Sequence, residues 1–358
     1  MKRITSILIA MLLLTACGGQ GNTANNQAVE KYGCDVLNVY NWGEYIGENV
    51  IKDFEEEFGV RVNYSLFASN EEMYTKLLGG TKYDVLVPSD YMIEKLLEDE
   101  LLQPLDKEMI TNIGNLYEGV LNKSYDPDNT YSIPYFWGNV GIVYDKTIID
   151  PADVESQGWE VLRNEKYNGQ IYMYDSERDS FMVALKALGY SMNTADEEEL
   201  NAAYEWLVEL DQKMDPAYVT DEAIDGLIYG EKAMGVMYSG DAAYILSENE
   251  NMDYYVPQQG TNVWNDALVI PANASCPKLA NEFINYVLTY DAAYDNSSYV
   301  GYASSNAEVL DFMVSEEGDY YGNIAYFPEL TNPLNEEFRN NESVRRVISE
   351  LWVKVKNQ

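Results

Sequence analysis

The sequence predicts an α/β fold with two lobes flanking a ligand cleft. Four observations carry that expectation. At ~150 residues per domain, the 358-residue chain makes about two domains. Segments with strand-like and helix-like periodicity alternate along it, as they do where crossover helices cover a largely parallel sheet. Two such sets of similar size follow one another without a long linker. Aromatic and acidic residues gather just after their strands, where open α/β sheets hold ligands.

The elements follow in order. Residues 35–41 alternate like a half-buried strand. Over 49–58, Val50, Ile51, Phe54 and Phe58 share one helical face, and Gly59 is a natural stop. Residues 61–67 return to strand. Ser69-Asn70-Glu71-Glu72 has the capping-box pattern, with Met73, Leu77 and Leu78 on the buried face that follows. Residues 83–87 read as strand and 91–98 as helix, completing a β-α-β-α-β run. The second set has a strand near 171–174, helices near 179–188 and 196–211, and a strand over 234–239. A strand over 267–272 and a helix over 278–288 come later. No internal repeat is visible.

Composition removes several chemistries. With no His there is no Ser-His-Asp triad, no Cys-His dyad, no His general base and no His metal ligand. Asp+Glu number 60 against 23 Lys+Arg, a formal net charge of −37. That balance argues against a nucleic-acid partner, whose phosphates need Lys and Arg, and against a basic patch for anionic lipid. It fits a cationic ligand, and equally a soluble, self-repelling surface. No Gly-rich phosphate cradle is present. Asp126-Pro127-Asp128-Asn129 hints at a calcium loop but lacks the Gly and distal Glu of an EF-hand, and reads as a β-turn. No metal and no cofactor is expected.

The N-terminus gives an address. Lys2 and Arg3 precede an apolar run over 4–14 that is too short to span a bilayer. It ends in Leu14-Thr15-Ala16-Cys17, which resembles a bacterial lipoprotein signal: residues 1–16 are removed and Cys17 is lipidated. Residues 17–34, rich in Gly, Asn, Gln and Thr, read as a flexible lipid-anchored tether. The expected location is the extracytoplasmic face of the cell membrane, at the cell surface or in the periplasm, anchored but not spanning. Cys34 and Cys276 remain. An exported compartment permits a disulfide, but spacing alone does not establish one.

The strand ends carry the chemistry. After the first strand comes Tyr40-Asn41-Trp42-Gly43-Glu44-Tyr45, and after the third Val87-Pro88-Ser89-Asp90-Tyr91. Later come Tyr174-Asp175-Ser176-Glu177-Arg178-Asp179, Tyr238-Ser239-Gly240-Asp241, Trp264-Asn265-Asp266 and Gly301-Tyr302. Carboxylates give charge-assisted hydrogen bonds to ammonium groups, and ring faces attract cations at ~0.5–2 kcal/mol each. Flat rings also cover methylene chains. Carboxylates spaced by rings would suit a flexible polycation of alternating ammonium and methylene segments. With 31 Tyr, any one of these motifs alone reads as core or surface. Their joint placement after successive strands is the signal.

From about residue 35 to the C-terminus the chain resembles the spermidine/putrescine-binding proteins of ABC importers. The motifs just quoted carry the resemblance, together with Tyr131-Ser132-Ile133-Pro134-Tyr135-Phe136-Trp137-Gly138 and the run from Trp264 to Ala274. The resemblance implies a type II periplasmic-binding-protein-like fold with hinge strands. It implies a polyamine ligand, putrescine and/or spermidine, held by Trp42, Glu44, Tyr45, Ser89, Tyr91, Asp179, Tyr238, Asp241, Trp264, Asp266 and Tyr302. In the family's pattern the Trp264 ring covers methylenes and the Asp266 carboxylate pairs an ammonium. There are departures. Ser176 stands where spermidine binders can carry Asp, so one carboxylate is missing, and Asp241 is a candidate to compensate. Tyr238 stands where Trp is common. A Gln-type contact near the C-terminus finds no counterpart. These departures leave diamine against triamine open.

The resemblance also implies lobes of 35–140 with 265–310 and of 141–264 with 311–358. It implies hinge closure, delivery to separate permease and ATPase chains, and a monomer. It gives Cys34 and Cys276 a meeting point at the end remote from the cleft. A lipoprotein binding another small solute, a sugar or another organic cation, is the alternative. An enzyme is not expected: paired carboxylates can hydrolyse glycosides, but nothing in the spacing selects such a pair.

Overall fold

The computed structural model describes residues 27–357. The signal segment and Cys17 lie outside the described residues. Among the described residues there are ten strands: β1 (Val36–Trp42), β2 (Arg61–Phe67), β3 (Val85–Leu86), β4 (Ser132–Asp145), β5 (Ile171–Tyr174), β6 (Ala217–Val219), β7 (Met234–Tyr238), β8 (Met252–Tyr255), β9 (Val263–Val269) and β10 (Ala303–Ser304). The order is β2-β1-β3-β9-β4-β7-β5-β6, with β8 and β10 also on β4.

Parallel pairing joins β1 to β2 and β3, and joins β5 to β6 and β7. These are the two βαβ sets read in the sequence, because each strand is followed by a helix that returns the chain. β4 connects them. Its first half, Ser132 to Asn139, runs antiparallel to β9. Its second half, from Val140, runs antiparallel to β7 and β8. All 14 residues of β4 are buried. The molecule is thus two sheets strung on one strand, and the strand ends of both face the same gap.

Local sequence explains the helix ends. The helix Val50–Phe58 stops at Gly59, whose φ of 65° is the left-handed conformation glycine adopts at no steric cost. Ser69 Oγ accepts the Glu72 N–H at 3.1 Å and Glu72 Oε2 accepts the Ala68 N–H at 3.0 Å, fixing the start of Asn70–Leu78. Asp126 accepts N–H bonds from Thr130, Tyr131 and Ser132, so its carboxylate serves a turn.

At the end remote from the gap, Cys34 and Cys276 are joined as a disulfide across 242 residues, with Cα atoms 6.1 Å apart. Buried Asp84 reinforces that junction. It accepts the Asn38 N–H and Asn38 Nδ2 on one oxygen and the Ser275 and Cys276 N–H groups on the other. Residues 27–32 differ from the tether expectation. They are helical, with Ala28 and Tyr32 buried one turn apart and with Lys31 and Tyr32 bonded to Glu282. Two apolar side chains at i and i+4 suffice to dock a single turn that its polar neighbours disguise.

Candidate binding cleft

The residues that follow the strands converge where the two sheets meet. Asp266, in β9, is 6% exposed. Its Oδ2 accepts the Tyr45 hydroxyl at 2.7 Å, and Ser89 lies beside it through a backbone bridge. Tyr45 is placed by the turn after β1 and packs edge-on to Phe136 and Tyr302, at 5.1 and 6.0 Å between ring centres. Trp264, two residues earlier on the same face of β9, meets Tyr302 at 5.1 Å and Tyr238 at 6.1 Å. Tyr238, at the end of β7, donates its hydroxyl to Asp179 at 3.0 Å, and Ser176 donates to the same carboxylate at 2.6 Å. Tyr174, at the end of β5, and Tyr302 donate to the two oxygens of Asp241 at 3.3 and 3.2 Å.

The result is one connected box of rings and carboxylates. Asn70 ties on its rim, donating to both Ser89 Oγ and Tyr91 OH at 3.1 and 3.0 Å. Two glycines make room for the rings. A Cβ on Gly138 would sit 2.6 Å from the Trp264 ring, and one on Gly240 2.2 Å from the Tyr302 ring.

Within the box, Asp266 Oδ1, Asp179 Oδ1 and the Trp264 Nε1 donor have no protein partner. A buried, unmatched carboxylate oxygen is costly, so it marks where a donor from a ligand is wanted. Electrostatics agree. Burial pushes Asp266 up to about 6 against the pull of the Ser89 and Tyr45 hydroxyls. Asp241 is pushed up to about 6 by desolvation, which outweighs its two phenol donors. Burial also raises Asp179. These acids are held in an environment that disfavours their charge, a cost that a cation beside them would relieve.

Two expected residues stand apart. Trp42 is half-buried at the edge, with Nε1 donating to the Val87 carbonyl at 2.9 Å and its ring against Phe67 at 4.5 Å. Glu44 is exposed, at a φ of 49°, and its carboxylate takes the Tyr299 hydroxyl. The structure does not bring it into the box with Asp266. Three residues that touch the box, Tyr174, Tyr135 and Phe136, lie in motifs read from the sequence but were not assigned as ligand contacts. Tyr174 ends a strand beside an acidic run, a signal that was available. Tyr135 and Phe136 belong to β4, whose role was not read.

Residues 49–323 match the bacterial extracellular solute-binding proteins. The chain belongs to that family. Among its relatives is the spermidine/putrescine-binding periplasmic protein of Escherichia coli, 34% identical over 308 residues that span 86% of this chain and 87% of that one. The Salmonella typhimurium protein of the same name is 36% identical over 284 residues, covering 79% and 81%. Among solved structures, the spermidine/putrescine ABC transporter substrate-binding protein of Streptococcus pneumoniae aligns with a TM-score of 0.78 at 36% identity, over 90% of this chain and 98% of that one. This solute-binding protein therefore has the two-lobed fold, and the ring-and-carboxylate box occupies the gap between its two sheets.

Proposed function

We propose that the chain is the extracytoplasmic binding component of an ABC importer and that it captures a polyamine. The observation that carries this reading is a pair of deeply buried carboxylates, Asp266 and Asp179. Each keeps an unmatched oxygen, and aromatic rings stand between them. An ammonium at each carboxylate supplies the missing donors and charge, and the rings of Trp264, Tyr238 and Tyr302 cover the methylenes. A neutral sugar would bring hydroxyls but no charge, leaving the cost of burying two ionised acids uncompensated. The ligand names of the relatives point the same way.

On this reading, residues 35–140 with 265–310 form one lobe and 141–264 with 311–358 the other, hinged where β4 changes partners. Closure removes water from the box and strengthens each ionic contact. The chain binds rather than transforms its ligand and works as a monomer. It is held at the outer membrane face by lipid on Cys17 and passes the ligand to separate membrane chains. No helix among the described residues is long and apolar enough to cross a membrane.

Calorimetric titration of a form lacking residues 1–17 tests the reading. Putrescine, spermidine and spermine are the ligands, maltose is the control, and co-purified ligand is first removed. Saturable binding of a polyamine and none of maltose is expected. Asp266→Ala and Trp264→Ala are each expected to weaken that binding at least about tenfold, or ~1.4 kcal/mol. Silence toward every polyamine, or full affinity in both variants, would refute it.

A further inference from the structure

Asp90 is a carboxylate that none of the interactions above explains. It stands between Ser89 and Tyr91, at the start of the helix Asp90–Glu98, and is 1% exposed. Its Oδ1 accepts the neighbouring Tyr91 N–H at 2.7 Å, and its Oδ2 has no partner in the protein. A helix N-terminus favours an acid by less than the burial of its charge costs. The helix alone therefore does not account for an acid here.

Its surroundings add to the excess of negative charge. Asp90 feels Glu337 and Asp266 as like charges, and the buried phenol of Tyr125 sits among the same three acids. Glu337 is matched by Lys123 at 3.1 Å. Arg178, the cation whose charge Asp90 feels, is committed elsewhere: it lies 3.7 Å over the Tyr91 ring and reaches Glu71 at 3.6 Å. Contacts run from Asp179 through Tyr238 and Trp264 to Asp266, and from Asp266 through Ser89 to Asp90. Asp266 thus falls between the two other acids that keep an unmatched oxygen. Asp241 takes a phenol on each of its oxygens and so keeps no unmatched one.

We propose that Asp90 is a third ammonium site, which makes the cleft one for a linear triamine in preference to a diamine. The proposal rests on the polyamine reading above and deepens it. A diamine satisfies two of the three unmatched carboxylates and leaves the third buried without a counter-charge. A triamine matches all three. The carboxylate missing at Ser176 is then replaced from the opposite sheet.

The test is calorimetric titration of wild type and Asp90→Asn with spermidine and with putrescine, at one pH and ionic strength. Wild type is expected to bind spermidine more tightly. Asp90→Asn is expected to lower the spermidine-to-putrescine affinity ratio by at least about tenfold. Its ligand-free melting temperature is expected at or above that of wild type, since an unmatched buried charge is gone. A wild type without spermidine preference, or an unchanged ratio in the variant, would overturn the proposal while leaving the polyamine reading intact. Wild type silent to both amines would overturn both.

Discussion

At the residue scale, the chemistry rests on acids whose charge the fold disfavours. Asp266 and Asp241 both stand at about 6 in the ligand-free protein, above the ordinary Asp value. For an acid raised by folding, the stabilising contribution is fully present below the unfolded value of ~3.9 and is lost as pH rises through the folded one. The ligand-free protein is therefore expected to melt higher at pH 5.5 than at pH 7.5. Ligand binding has the opposite dependence, because an ammonium needs the ionised acid. Affinity for the polyamine is expected to fall by about fourfold at pH 5.5 through Asp266, with proton release on binding. Titrations across that range in buffers of different ionisation enthalpy measure both. A pH-independent affinity would show that Asp266 does not meet the ligand. Most of the box was legible at this scale, since aromatic and acidic side chains after strands announce themselves. Asp90 was not: from the sequence it is one acid among 60, and only the burial of an unmatched oxygen distinguishes it.

At the scale of elements, the alternating βα sets were legible because amphipathic helices and half-buried strands carry their periods openly. β4 was not, and the reason is physical. It is buried on both faces along 14 residues and so shows no alternation, and Pro134 and Gly138 interrupt it as they would a loop. β9 begins at Val263, earlier than expected, because Asn265 and Asp266 look like loop residues until their burial is seen. Residues 27–32 read as tether because their two apolar contacts are outnumbered by polar neighbours. One element-level device is directly testable. The helix Ser239–Glu248 approaches Tyr302 so closely that only glycine fits at position 240. Gly240→Ala is expected to displace that ring, to cost about 1–3 kcal/mol of stability and to weaken polyamine binding at least about tenfold. Calorimetry and thermal melting check the two effects separately. An alanine variant with native affinity would mean that Tyr302 is not a wall of the site.

At the scale of the whole molecule, function and stability are held at opposite ends. The cleft lies where the sheets meet, while the disulfide and Asp84 tie β1, β3 and the segment after β9 at the far end. Cys34→Ser with Cys276→Ser is therefore expected to lower stability by about 2–5 kcal/mol while leaving polyamine affinity within about twofold; denaturant unfolding and titration measure the pair. A second set of contacts joins the sheets near the mouth. Arg178 and Arg345 reach Glu71 at 3.6 and 3.0 Å, Arg339 reaches Glu94 at 3.0 Å, and Lys95 reaches Glu342 at 2.7 Å. Each exposed pair is worth ~0–1 kcal/mol, so they guide closure more than they enforce it. The burden of holding the lobes together then falls on the ligand itself. A crystal structure of the spermidine complex tests that most directly. Nitrogen atoms of the ligand are expected within about 3 Å of Asp266 Oδ1 and Asp179 Oδ1, with the methylenes against Trp264. A ligand outside the cleft, or one whose nitrogens approach neither carboxylate, would contradict it.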